Sequence, residues 1–197
     1  DRYFLDDLLS DLSGGHNVVS TVFIECQAMY RKDGPEEMKT LGQTEFVQGI
    51  VAQNASGRYG NIDVAAGIVA FANLAIGSGV ERVLEAHQAV TPNLRGVRHI
   101  TAFDGSPDVP RPRPFPEGLL GDAKFREGFA VLEKLGLSFD AYIYHPQLHE
   151  LADLANAFPG VTIILNHVGG PLGVGPYASK RDQIFEEWKD SMTAVAA

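Results

Sequence analysis

Six residues stand where a parallel α/β fold would place reactive groups: Glu25, Arg98, His145, Gln147, Asn166 and His167. Each follows or closes a short apolar run, and in parallel α/β folds chemistry gathers at the carboxyl ends of strands. His167 carries the strongest signal, because Ile163-Ile164-Leu165 leads straight into Asn166-His167-Val168-Gly169-Gly170-Pro171. Its two glycines allow a tight turn and leave room beside the imidazole. His145 repeats the arrangement after Tyr142-Ile143-Tyr144, with Pro146 turning the chain out of the strand. Imidazoles at successive strand ends suit a zinc-like divalent metal or general acid–base work at neutral pH, and the plain alternative is two hydrogen-bonded structural histidines. Arg98 can clamp a substrate carboxylate with two parallel hydrogen bonds. Its plain alternative is an ion pair with Glu25 or Asp104. Glu25 is a candidate proton carrier or metal ligand, and Asn166 and Gln147 are candidate substrate-binding amides. Cys26, next to Glu25, reads as a packing residue more readily than as a nucleophile.

Those positions need strands and helices to hold them. Five runs rich in Val, Ile, Phe and Tyr, at 17–24, 62–70, 96–101, 139–144 and 161–166, read as strands. Their weak alternation fits a parallel sheet covered on both faces. Amphipathic stripes lie between them. The clearest is Phe125, Phe129, Leu132 and Leu135, opened by Asp122 as N-cap and stopped by Gly136. Others are Leu5–Leu12 before the first strand, Val80–His87, Leu148–Phe158, and Ile184–Val195 after the last. Five prolines between Pro107 and Pro116 predict an extended loop.

Composition narrows the classes of function. The formal charge of −9 disfavours nucleic acid, and the longest apolar runs are far too short to cross a membrane. A soluble, cytoplasmic protein is expected. With one cysteine there is no internal disulfide and no Cys-rich zinc site. The glycine pattern of dinucleotide-binding and P-loop enzymes is absent from the sequence. Strand–helix repetition leaves two architectures, a closed (β/α)8 barrel of which 197 residues hold only part, or a five-stranded open flavodoxin-like sheet serving as a non-enzymatic binding module.

Five stretches resemble one family in combination: Thr21–Arg31, Gly42–Val47, Arg95–His99, Tyr144–Leu148 and Asn166–Pro171. The family is the amidohydrolase-related one of metal-dependent TIM-barrel hydrolases, in the branch that includes sugar-lactone and pyrone-dicarboxylate lactonases. The resemblance runs from about Arg2 to Trp188. It implies a single domain over 1–197, truncated at both ends, whose strands are about the second to sixth of the barrel. The family's His-x-His pair on the first strand and Asp on the last are not in this sequence. What the resemblance implies is a hydrolase opening a lactone or similar carboxylic ester of a small acidic molecule by water attack. His167, His145 and Glu25 would be the catalytic candidates, with Arg98, Asn166 and Gln147 on the substrate. Gln147 is the alternative to His145 at its position. A zinc-like metal on His145 and His167 is one implied route and metal-independent hydrolysis the other. An opened barrel with unpaired edges is further expected to self-associate as a homo-oligomer and to be inactive alone.

Overall fold

The computed structural model describes residues 3–196. Five strands alternate with helices: β1 (Ser20–Ile24), β2 (Asp63–Ala70), β3 (Leu94–Ile100), β4 (Ser138–Tyr142) and β5 (Ile163–Leu165). The helices are α1 (Leu5–Leu12), α2 (Leu41–Asn54), α3 (Glu81–Val90), α4 (Ala123–Leu135), α5 (Leu148–Ala157) and α6 (Arg181–Val195). The sheet order is β1-β2-β3-β4-β5, and β1–β2, β3–β4 and β4–β5 pair in parallel. A doubly wound sheet reverses direction at a switch point, whereas a barrel adds each strand on the same side of the last. The sequential order corrects the flavodoxin-like alternative. The fold is α/β, part of a (β/α)8 barrel. No helix among the described residues is long and apolar enough to cross a membrane.

Two compact units are present, 1–70 with 83–95 and 71–82 with 96–197. In the first, Leu41, Val47, Val64, Ile68, Val83 and Leu84 are buried. Buried His87 of α3 is held structurally, its ring nitrogens 3.2 and 2.8 Å from the hydroxyls of Thr40 and Thr44. The Thr21 hydroxyl accepts from the Ala65 N–H at 2.9 Å where the β1–β2 register shifts.

In the second unit α4 shows how sequence makes the element. The Asp122 carboxylate caps it by accepting from the Phe125 N–H at 2.9 Å, and Gly136 ends it in the left-handed region at φ 65. Its buried face presents Phe125, Gly128, Phe129 and Leu132, the i, i+3, i+4, i+7 spacing of one helix side. Phe125 and Phe129 meet Phe139 of β4 edge-on, with ring centroids 6.1 and 5.0 Å away. Gly128 lets the backbone at Leu74 approach, since a Cβ there would lie 2.2 Å from the Leu74 carbonyl oxygen.

Candidate functional site

Of the six predicted residues, Glu25 belongs to the first unit and the other five to the second. Glu25 follows β1, is wholly buried, and donates its backbone N–H to the Val69 carbonyl at 2.9 Å.

Arg98 lies on β3, half-buried, with Asp140 of β4 as its register partner, and Asp140 is in turn paired with Ile164 of β5. Asn166, just past β5, donates from Nδ2 to Asp140 Oδ1 at 3.0 Å. Three successive parallel strands therefore bring a guanidinium, a carboxyl and an amide together. Asp140 is 2% exposed, and burial pushes its carboxyl above the usual carboxylate range, against the opposing pull of the Asn166 hydrogen bond and of Arg98. Asp140 Oδ2 and Asn166 Oδ1 are both buried with no hydrogen-bond partner. Asp140 was not among the six residues predicted from the strand ends. Its signal is a carboxylate in the middle of the apolar run Ser138-Phe-Asp-Ala-Tyr142.

His145 and Gln147 sit on the 3-10 turn that leads from β4 into α5. The imidazole is 5% exposed, accepts at Nδ1 from the Leu172 N–H at 3.3 Å, and meets the Tyr177 ring edge-on at 5.3 Å. Burial lowers its pKa, with Glu187, Asp104 and the Gly170 backbone pulling the other way, so at neutral pH the ring is neutral. Gln147 Oε1 accepts from the N–H groups of Phe103 and Tyr144, and Nε2 donates to the Thr101 carbonyl. That amide ties the chain after β3 to the chain after β4.

His167 is exposed and leans on the Tyr142 ring, centroids 4.6 Å apart. Tyr142 and Tyr177 pack against one apolar cluster of Ile100, Ala102, Val109, Tyr144 and Leu172. The two histidines thus flank the same cluster through different tyrosines. Residues 167–170 all have positive φ: 50, 48, 77 and 56. For β-branched, exposed Val168 this is strained by about 1–2 kcal/mol. Val168→Asn, a residue that tolerates this region, should raise stability by about 0.5–1 kcal/mol in urea unfolding. A lower midpoint would contradict the strained turn.

The proline-rich loop is docked. Val109 is buried in the cluster, the Tyr144 hydroxyl donates to the Pro110 carbonyl at 2.5 Å, and Arg111 and Arg113 lie 4.4 and 4.3 Å over the rings of Phe103 and Phe71. Tyr177 donates to Asp104 Oδ2 at 2.7 Å, which pushes its phenol up to about 12. A cavity of 760 Å³ against α6 is lined by Val168, Leu172, Tyr177, Arg181, Phe185 and Trp188. None of the six predicted residues lines it, so its size alone does not place a substrate there.

Among the described residues no three His, Cys, Asp or Glu side chains come together as a site. Metal ligation by an imidazole nitrogen needs its lone pair, and the Nδ1 lone pair of His145 faces the Leu172 N–H. The described residues do not by themselves complete a three-ligand metal site.

Residues 26–197 match the family model described as amidohydrolase. An uncharacterized protein of Sinorhizobium fredii, y4mH, is 30% identical over 202 residues, covering 98% of this chain and 56% of that protein. A crystal structure of an amidohydrolase from Burkholderia multivorans with bound zinc superposes with a TM-score of 0.65 at 20% identity, over 99% of this chain and 56% of that one. The same enzyme with bound HEPES gives 0.54 at 19% identity, over 91% and 66%. The chain thus spans about half the length of the relatives it matches.

Proposed function

Since the chain belongs to the amidohydrolase family, and is in that coarse sense a hydrolase, we propose that it contributes the carboxylate-binding part of an enzyme opening a lactone or similar carboxylic ester of a small acidic molecule. The observation carrying this reading is the row formed by Arg98, Asp140 and Asn166 across β3, β4 and the end of β5. A guanidinium at a strand face holds a planar carboxylate by two parallel hydrogen bonds, and a lysine cannot match that geometry.

In this reading Arg98 orients the substrate through its carboxylate and presents the ester carbonyl to water. The amide of Asn166 and the imidazole of His145 are the candidate donors to a developing oxyanion. Exposed His167 is the candidate base that takes the proton of the attacking water. Buried Glu25 is a candidate proton carrier at its own strand end. A bound zinc ion, as held by the Burkholderia enzyme, polarises a carbonyl and acidifies water. The described residues do not by themselves complete a three-ligand site for such an ion.

The test is Arg98→Met in the whole protein. On a carboxylated lactone kcat/KM should fall by about 100-fold, the loss of two charge-assisted hydrogen bonds, and on a neutral lactone by less than about 5-fold. Equal losses on both, or none, would overturn the assignment. Expressing residues 1–197 beside the whole protein tests the companion proposal that this part alone is a poor hydrolase. Equal hydrolysis by the two would refute it.

A further inference from the structure

Asp140 and Asn166 make one hydrogen bond where their shapes allow two. Asn166 Nδ2 donates to Asp140 Oδ1 at 3.0 Å, while the second oxygen of each group, Asp140 Oδ2 and Asn166 Oδ1, is buried with no partner. Two buried acceptors left over from one carboxyl–amide pair keep their full desolvation penalty if the carboxyl is ionised. One proton removes both defects. A carboxylic acid and a primary amide form a closed ring of two hydrogen bonds, and an ionised carboxylate, being acceptor-only, cannot. We propose that Asp140 is held as a neutral carboxylic acid in a reciprocal pair with Asn166, its Oδ2–H donating to Asn166 Oδ1 while Asn166 Nδ2–H donates back to Oδ1.

The surroundings agree. The charged group acting on Asp140 is Arg98, across the β3–β4 register; from the β5 side it faces the amide of Asn166 and its register partner is the aliphatic Ile164. Burial outweighs both the cation and the amide and moves the carboxyl upward. The consequence rests on the carboxylate-binding reading of Arg98. An ionised Asp140 would compete with a substrate carboxylate for that guanidinium, and a neutral one does not. Asp140 is then a positioning residue that fixes the Asn166 amide and makes anion recognition depend on its own proton.

The sign follows from linkage. A carboxyl whose folded pKa is raised holds its proton better in the native state, so its contribution to stability is largest at low pH. It declines as pH rises from the ordinary carboxyl range through the folded value. Asparagine at 140 reproduces the ring without a titrating proton.

The experiment uses the whole protein. Infrared difference spectra of wild type minus Asp140→Asn, with ¹³C-labelled aspartate, should show the C=O stretch of a protonated carboxyl at pH 6 that vanishes as pH rises. Asp140→Asn should melt within about 3 °C of wild type at pH 6 and lose the alkaline decline. No such band, failure of the variant to fold, or a larger drop in Tm overturns the proposal in favour of an ion pair. A separate measurement follows KM for a carboxylated lactone, which should rise several-fold through the same titration in wild type and stay flat in the variant. If the infrared band is present and KM is flat in both, the neutral Asp140 stands and the carboxylate-binding reading fails.

Discussion

Between pH 6.5 and pH 4.5 the folded chain should lose about 2–3 kcal/mol of stability through one histidine that is not part of the candidate site. His99 of β3 is completely buried, walled by the rings of Phe71, Phe115 and Phe125 at 5.4, 4.3 and 5.4 Å. Its Nδ1 accepts from the Leu74 N–H at 3.2 Å, and Nε2 has no hydrogen-bond partner. Burial first, and nearby Arg113 second, push its pKa down to about 3. The unfolded chain takes up a proton at this residue below about 6.5, while the native state refuses it until pH falls to about 3. Its contribution is fully present above pH 6.5 and is lost as pH falls, the opposite direction from Asp140. Each pH unit in that window removes about 1.4 kcal/mol. His99→Asn keeps an acceptor for Leu74 and does not titrate, so its acid slope should be shallower by this amount in urea unfolding at several pH values. Parallel slopes for the two proteins would show that protonation of His99 is not what opposes folding in acid.

Arg98 and His99 also show what the sequence could and could not reveal. Adjacent residues on a strand point to opposite faces, and here one joins the Asp140 row while the other enters the aromatic core around Phe125 of α4. The motif Arg95–His99 marks the strand but not which side chain serves which face. Elements with local signals were legible. Asp122 and Gly136 set the ends of α4 where expected, and the five apolar runs became the five strands, β1, β2 and β5 starting one to three residues later than expected and β3 and β4 one or two residues earlier.

Helix α2 was not legible, because its Gly42, Gly49 and scattered apolar residues make no stripe. Buried Leu41, Gln43, Thr44 and Val47 are chosen by tertiary packing instead. Gly42 is held there by close approach, since a Cβ would lie 2.4 Å from the Met29 carbonyl oxygen. Asp140 was missed for a related reason. Reading strand ends finds groups that a loop could aim, whereas Asp140 is aimed by register from the middle of β4, and register is set by partners distant in sequence. The same non-locality explains Gln147, whose amide turned out to join the chain after β3 to that after β4.

Gly170→Ala should destabilise the chain by about 2–4 kcal/mol and disturb the histidine turns on both sides of it. Gly170 has φ +56, and a Cβ there would lie 2.4 Å from the Ile143 carbonyl oxygen and 3.2 Å from Tyr144 Cα. The left-handed conformation costs alanine about 1–2 kcal/mol and displacement of packed backbone about 1–3, partly offset by about 0.5–1 from the stiffer unfolded chain. The backbone that must move is not peripheral. Gly170 O accepts the His145 N–H at 3.2 Å, and Gly170 N–H donates to the His167 carbonyl at 2.9 Å, so one residue fastens both imidazole-bearing turns. Pushing it from Ile143 shifts His145 relative to His167, and under the proposed function a displacement of about 1 Å is enough to lower the whole protein's hydrolysis by about 100-fold. Gly173→Ala is the control, since its Cβ would meet nothing within 4 Å and its φ is not positive. It should change stability by no more than about 0.5 kcal/mol. Urea midpoints with unchanged slopes separate the two variants, and kcat/KM in the whole protein reads the site. If Gly170→Ala proved as stable and as active as Gly173→Ala, the close approach at Ile143 would not be what holds these turns together.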